Sequence, residues 1–554
     1  MASSSPTSGR SPWLQVIAGL FVLIIIVLVP IGISSSQHPA PVHVKILAIN
    51  DFHGQLPGTK SLNGEPAGGA PVLASYLSSS AGRATTFIAL PGDVVGASPP
   101  ESGLLLDEPT LLFWSNLADD YTSIATFGNH EFDRGTDELF RTIGGGNGRT
   151  TIAHLVDPYP GTKMEYISAN VVWEVNDTPI AAPYTIRDAD GVQIAFIGAV
   201  TTETPSIQRP ANIEGIAFKD EAESINRYVP EVQEMGVHAI VILLHEGGSQ
   251  EAYDGPTRSE CNVTGRVAGI VAGLDPDVDV VLSAHTHEFT NAYLENAGGN
   301  QVLVTQAYSY GRAFADIDLI IDPITGDIIH KTAEIVPAYA SGINPDPGAT
   351  ALLTAARETV EPMTGWIVTT TSSDITDLAN DAGESPLGNL VADGQRVVMQ
   401  ADVAFITTGS LRADIPAGDV TWGDLYAVQP FSSSVLSMIL TGEQIRDVLE
   451  QQWQTPLPPH NLAVSGLSYT FDDTRPAGDK VTEVRVAGTP VEPGANYTVA
   501  MVDFLATGGD GYTVFTKGAD LVYGPPDVDA LVAHMASLPT PVGISGEARI
   551  MRAA

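Results

Sequence analysis

The sequence predicts an α/β protein, two layered α/β domains in tandem behind an N-terminal apolar segment. Three observations carry that prediction. Short β-branched runs recur along the 554 residues with amphipathic segments between several of them, the alternation of strand and helix that builds a layered sheet. An apolar fraction of 44% supplies more than one buried core, and at roughly 150 residues per domain the length allows three or four units. A cluster of chain breakers, Ile343-Asn344-Pro345-Asp346-Pro347-Gly348, divides the pattern in two.

Residues 1–40 form the apolar segment and a Ser/Pro-containing tether. Arg10 precedes the run Val16 to Ile33, apolar apart from Gly19, Pro30 and Gly32, and about 18 to 20 such residues cross a bilayer as a helix. The run is longer than the apolar stretch of a signal peptide and no clean Ala-x-Ala site follows it, so an uncleaved anchor is expected ahead of a cleaved signal. Either way Arg10 stays on the cytoplasmic side and the rest of the chain is exported, touching the membrane only through this segment.

Residues 41–343 carry the first domain. Val44 to Ile49, Thr85 to Leu90, Ser123 to Thr126, Ile194 to Val200, Ala239 to Leu244, Val278 to Ser283 and Val302 to Thr305 read as buried strands, with helices over Pro109 to Ala118 and Asp220 to Met235. Residues 344–366 hold a linker helix from Ala349 to about Glu361. Residues 367–554 form the second domain, with strands Val403 to Thr407, Leu467 to Phe471, Val481 to Val486 and Tyr497 to Met501 and helices Asn389 to Met399 and Gly442 to Gln451.

The formal charge is −39. A nucleic-acid strand, itself a polyanion, meets net repulsion from such a chain, so polymeric nucleic acid is not expected as a partner. The single cysteine, Cys261, excludes an internal disulfide, thiolate zinc sites and CxxC redox chemistry.

The residues with chemistry stand where strands end. The first strand runs into Asn50-Asp51-Phe52-His53-Gly54, and in an extended chain residues two apart face the same side, so Asp51 and His53 are expected to face one ion. Later strands run into Gly92-Asp93, Gly128-Asn129-His130-Glu131-Phe132-Asp133, His245-Glu246 and Ala284-His285-Thr286-His287. Loops at the carboxyl ends of strands are where open α/β sheets build their sites. A lone histidine after an apolar strand is more often structural than a ligand, but here five of 12 histidines fall directly after predicted strands. The other seven, His38, His43, His154, His238, His330, His460 and His534, lack that arrangement and read as structural or solvent-exposed. Imidazole and carboxylate donors without thiolate suit Zn²⁺, Mn²⁺ or Fe²⁺.

In this order the turns resemble the calcineurin-like metallophosphoesterases, and Asn-Asp-Phe-His-Gly with Gly-Asn-His-Glu-Phe-Asp narrows the resemblance to the 5′-nucleotidase family. Further segments are similar to that family's C-terminal substrate-recognition domain: Glu384-Ser385-Pro386-Leu387-Gly388-Asn389-Leu390, Leu411-Arg412-Ala413-Asp414-Ile415, Gln429-Pro430-Phe431 and Phe504-Leu505-Ala506-Thr507-Gly508-Gly509-Asp510-Gly511. The resemblance spans roughly residues 43 to 520. It implies a four-layer αββα metallophosphoesterase domain followed by a smaller α/β substrate-recognition domain.

It also implies roles. Asp51, His53 and His287 would hold one divalent ion, Asn129, His245 and His285 a second, with Asp93 between them. Two such ions lower the pKa of a water and clamp phosphoryl oxygens. His130, paired with Asp133, would assist the leaving group, although Asp133 alone also reads as a helix N-cap. Arg412 would grip phosphate, Phe431 and Phe504 would sandwich a base, and Asp510 would accept from ribose hydroxyls. The implied reaction is hydrolysis of nucleoside monophosphates, small-molecule nucleotides being the partners. Alternatives keep the metal centre and change the substrate: 2′,3′-cyclic nucleotides with 3′-nucleotidase activity, UDP-sugars or other nucleotide sugars, or sulfur-bound thiosulfohydrolase substrates. A binding protein without catalysis fits least. Two departures stand out. Thr407 and Ser410 replace Asn and Gly of the family's turn before Arg412, and no Arg or Lys lies between Arg357 and Arg396, where Asp377 and Asp381 stand instead.

Overall fold

The computed structural model describes residues 1–2, 39–148, 154–259, 262–454, 461–543, 546 and 548–553. Arg10, the run Val16 to Ile33, His38, Cys261 and His460 lie outside these residues. Among the described residues no helix is long and apolar enough to cross a membrane. Val42 to Ala554 form one compact unit.

Two six-stranded sheets face each other in the N-terminal half. In the first, Val42–Ala48, Thr85–Pro91, Thr122–Thr126 and Glu165–Ile167 run parallel, with Ile46 opposite Phe87 and Ile88 opposite Ser123. In the second, Val192–Val200, Ala239–His245, Val280–Ser283 and Gln301–Ala307 run parallel. Successive residues of a strand point to opposite faces, and both faces are apolar here, which is why the strands read as continuous runs. Ile46, Ala48, Phe87, Ile124, Val241 and Leu243 fill the layer between the sheets. Leu47, Ile88, Leu90 and Ala125 point outward under helices Ala70–Ala81 and Glu108–Leu117. On the second sheet Ile240, Ile242 and Leu244 lie under helices Glu221–Glu234 and Arg266–Gly273. The result is four layers, helix, sheet, sheet, helix. Each large side chain buried in them contributes about 1.5–3 kcal/mol.

Asp220 proves to be the cap rather than the first residue of its helix: its carboxylate accepts from the Glu223 N–H at 2.9 Å. The antiparallel strands Tyr184–Ala189, Phe289–Glu295, Ala313–Ile321 and Ile328–Pro337 were not legible as apolar runs. They flank the parallel strands, and Ile328–Pro337, at one edge, keeps polar side chains such as His330 and Glu334 toward solvent.

The breaker cluster starts helix Pro347–Thr364, where the Asp346 carboxylate accepts from the Ala349 N–H at 2.8 Å. Leu352 and Leu353 pack on the N-terminal core, and Ala356 and Val360 pack on Leu105. The C-terminal α/β part has a five-stranded sheet ordered Leu462–Ser465, Val403–Thr407, Asn496–Val502, Ser434–Thr441, Ala519–Pro526 and a four-stranded sheet beside it. Helix Pro386–Val398 begins at Ser385, whose hydroxyl accepts from the Gly388 N–H at 3.1 Å.

Candidate active site

All five N-terminal turns meet at the carboxyl ends of the parallel strands. Asp51 and His53 do converge, but not through an extended chain. Asp51 (φ 49°), His53 (φ 51°), Asp93 (φ 48°), His285 (φ 74°) and His287 (φ 60°) all adopt left-handed backbone, rare for residues with a Cβ. Neighbouring turns hold them there: His53 N–H donates to Asp93 O at 2.9 Å and Tyr310 N–H to Asp51 O at 2.7 Å. The turns also need the bare backbone of Gly128, because a Cβ there would stand 2.2 Å from Asp93 Oδ1.

Two groups of donors result, sharing one carboxylate: Asp51, His53, Asp93 and His287, and Asp93, His245 and His285. His53 Nδ1 lies 3.0 Å from Gly96 O, and His245 Nδ1 lies 2.9 Å from Pro91 O. Each carbonyl can only accept, so the proton sits on Nδ1 and the Nε2 lone pair points inward. His53 Nε2 then stands 3.0 Å from His287 Nε2 and 3.5 Å from Asp93 Oδ2, and His245 Nε2 3.1 Å from Asn129 Oδ1 and 3.3 Å from Asp93 Oδ2. His287 Nε2 lies 3.5 Å from Asp51 Oδ1. Converging lone pairs and carboxylates are what cations fit. Burial pushes the His53 pKa well below the usual value, keeping the ring neutral as a ligand must be. At His245 burial acts in the same direction, but Asp93, Asp51 and Glu131 outweigh it and raise the pKa to about 10, so a cation bound there would take the place of a proton on Nε2. The buried cluster thus suits two divalent ions with Asp93 common to both.

His130 faces the cluster without joining either group. Its Nδ1 is 2.9 Å from Asp133 Oδ2. The next helix, Thr136–Gly144, is capped at Gly135 without a side-chain bond, so Asp133 serves the histidine and not the helix. Burial opposes charge on His130, yet Asp133 and Asp93 outweigh it and raise its pKa.

Two residues without an assigned role hold this arrangement. Gln208 donates to Asn129 O at 2.8 Å and to Asp133 Oδ1 at 2.7 Å. Glu131 accepts from the N–H groups of Asp93 (3.0 Å), Val94 (2.9 Å) and Gly128 (2.6 Å), tying two of the turns together. Burial beside Asp93 pushes the Glu131 carboxyl up to about 7. Glu131 lies inside a quoted motif; nothing local in the sequence marks Gln208.

The C-terminal half supplies the opposite wall of a cavity of about 890 Å³, lined from one side by His130 and His285 and from the other by Arg412, Phe431, Phe504 and Asp510. Arg412 Nη2 stands 3.1 Å from His130 Nε2, and the Phe431 ring stacks on His130 at 5.9 Å. Phe504 lies so close over Gly509 that a Cβ there would stand 2.4 Å from the ring. Thr407 and Ser410 hydrogen-bond each other through their hydroxyls at 3.1 Å. Arg209, from the N-terminal half, reaches across to Ser433 Oγ (2.9 Å) and Asp503 (3.1 Å).

Two family models match separate stretches of the chain. The family model for calcineurin-like phosphoesterases matches residues 44–289, and the model for the 5′-nucleotidase C-terminal domain matches residues 366–517. The chain is 33% identical over 520 residues to Endonuclease YhcR of Bacillus subtilis, covering 92% of this chain and 41% of that protein. It thus spans only about two fifths of that relative's length. It is 34% identical over 546 residues to Cell wall protein Lmo0130 of Listeria monocytogenes, covering 91% of this chain and 68% of that protein. The 5′-nucleotidase precursor of Thermus thermophilus superposes with a TM-score of 0.77 at 26% identity, over 92% of this chain and 99% of that one.

Proposed function

The chain belongs to the 5′-nucleotidase family and is a metal-dependent phosphoesterase, and on that premise we propose that it hydrolyses nucleoside monophosphates to nucleoside and phosphate. The observation that carries this reading is the 3.1 Å contact of Arg412 with His130, which sets a phosphate-gripping group of one half against the Asp133-paired histidine of the other.

Asp51, His53 and His287 would hold one ion and Asn129, His245 and His285 the other, with Asp93 shared. Zn²⁺ and Mn²⁺ are among those the donors suit. Bound there, two divalent ions lower the pKa of a water and polarise the phosphoryl oxygens. The rest falls to the chain. Arg412 turns its guanidinium to two phosphate oxygens. Once Arg412 has turned from His130 Nε2 to the phosphate, His130, oriented by Asp133, takes a proton at Nε2 and gives it to the leaving oxygen, a role worth about 10²–10⁴-fold in rate. Gln208 keeps the dyad and Asn129 in register. Phe431 and Phe504 stack on the base, and Asp510 accepts from the ribose. Entry and release require the two halves to part along the Arg412, Lys60 and Arg209 contacts and turn about the segment near Pro345 to Glu361. The cell-wall relative and the apolar N-terminal segment together support action outside the cytoplasm, with that segment as a tether.

A second reading, cleavage of a phosphodiester in nucleic acid, is favoured by the 33% identity with the Bacillus endonuclease. The net charge of −39 does not decide against it, because Arg134, Arg209, Arg266 and Arg412 line the cavity beside its carboxylates. The test is a panel of nucleoside monophosphates, 2′,3′-cyclic nucleotides, nucleotide sugars and single-stranded DNA, each run with several divalent metals. The highest kcat/KM is expected for the monophosphates. A preference for the polymer would replace this reading with the second.

A further inference from the structure

Lys60, Arg312 and Arg412 gather beside the metal-ligand cluster. Lys60 opens the hairpin Lys60–Leu62 and Glu65–Ala67, and its ammonium donates to Arg412 O at 2.7 Å. It also stands 4.9 Å from the centre of the Tyr310 ring, against which Arg312 packs at 5.6 Å. Arg312 donates to Ser309 O (3.1 Å), Ser309 Oγ (3.0 Å) and Ser61 O (3.4 Å), which fixes it next to the hairpin. Tyr310 reaches the cluster itself: its ring centre is 5.3 Å from that of His287 and 5.6 Å from that of His53.

In a chain with 65 acidic residues against 26 basic ones, these three cations have no carboxylate within ion-pair distance among the described residues. The carboxylates that act on Lys60 from further away are Asp414 and Asp377, and Asp414 is engaged by the Asp377 N–H at 2.9 Å. The Arg412 Nε is buried without a partner. Arg312 on the same ring and the guanidinium of Arg412 both repel the Lys60 ammonium, and an anion among them would relieve that repulsion. Lys60, Tyr310 and Arg312 are all half-buried, hence reachable from solvent. They lie on the Tyr310 side of the cluster, whereas Phe431 stacks on His130.

We propose that Lys60 and Arg312, set together against Tyr310, form an accessory subsite for a second phosphate group of the substrate, separate from the phosphate cleaved at the metal-ligand cluster. The ligand chemistry is an organic phosphate carrying two phosphate groups. The second group comes either from the same nucleotide, as in a nucleoside 3′,5′-bisphosphate, or from the next nucleotide of a short oligonucleotide. The subsite rests on the phosphoesterase activity of the cluster and not on base recognition, so it is tested first with substrates that have no base.

The metal-loaded full chain is given alkanediol bisphosphates of two to five carbons and the matching alkyl monophosphates. The expected result is a lower KM for the bisphosphates at one or more chain lengths. Lys60→Gln and Arg312→Gln should each erode that advantage by about tenfold or more, the loss that follows removal of a hydrogen bond to a charged group, with kcat moving less than KM. Lys60→Arg, which keeps the charge, should retain it. A nucleoside 3′,5′-bisphosphate and a 5′-phosphorylated dinucleotide then identify the source by which of them shows the Lys60-dependent gain. No bisphosphate advantage in the parent enzyme overturns the proposal. So does an equal rise in KM for mono- and bisphosphates in the variants, which would make Lys60 a tie between the two halves, or the absence of the gain in both nucleotide arms. Failure of the Phe431 and Phe504 stacking leaves the base-free series unaffected.

Discussion

Asp51, His53, Asp93 and His245 are buried and bound to neighbouring turns through backbone groups, while Arg412, Phe431 and Phe504 on the facing wall are only half-buried, and Arg412 keeps a nitrogen without a partner. The N-terminal groups sit at the ends of parallel strands packed on both faces. The C-terminal groups sit on turns that meet the first half through a few side chains. Reaction geometry requires atoms fixed to within about half an ångström; recognition requires a wall that moves away and returns. On the proposed function, the buried half of the cavity would set the chemistry and the half-buried wall would select what enters it.

The contrast predicts a graded series of effects. The largest falls on Asp93, shared by both donor groups. Asp93→Asn should lose bound metal and turnover together, to assay background, as read by elemental analysis alongside a phosphatase assay. A variant with parental turnover would dissolve the rigid half of the comparison.

Next comes His130. His130→Ala should retain metal and lose about 10²–10⁴-fold in kcat. Loss of metal in that variant would move the residue into the donor cage.

On the adjustable wall the effect should appear in binding. Phe431→Ala or Phe504→Ala should raise KM for a nucleotide by roughly 10–100-fold, since stacking contributes about 1–3 kcal/mol per base, with a far smaller change for a small aryl phosphate. If both variants handle nucleotides as the parent does, the stacking role is wrong.

The smallest effect concerns Asp527, a cavity-lining carboxyl on the C-terminal wall. Burial, together with Asp503, raises its pKa to about 7. An acid with a raised folded pKa keeps its stabilising influence below its unfolded value near 4 and loses it as pH climbs through about 7. Asp527→Asn should therefore raise the melting temperature at pH 8 and change it little at pH 4. Equal shifts at both pH values would remove burial of this charge as the cause.

Sequence patterning showed best what both faces of a sheet bury. The parallel strands were legible because Ile46, Leu47, Ile88 and Ala89 are apolar on either side, and the turns because each chemistry-bearing residue follows such a run. Edge strands such as Ile328–Pro337 were hidden by their solvent-facing polar residues. Convergence of Asp51 with His53 was anticipated for a reason the backbone does not bear out, since left-handed turns and not strand alternation bring them together. Gln208 and Lys60 were invisible because their partners are far off in the chain: Gln208 meets Asp133 across 75 positions and Lys60 meets Arg412 across 352. No local spacing encodes such a meeting.

The left-handed turns have a consequence for recovery after chelation. Each side chain at such a backbone angle costs roughly 1–3 kcal/mol, and the surrounding hydrogen bonds must supply it. At Asp51, His53 and Asp93 those bonds run between backbone groups and to the Glu131 carboxylate, and none of them passes through an atom that would hold an ion. A chelator should thus strip activity while leaving the scaffold folded, and adding back a divalent ion should restore turnover within mixing time, with no refolding lag.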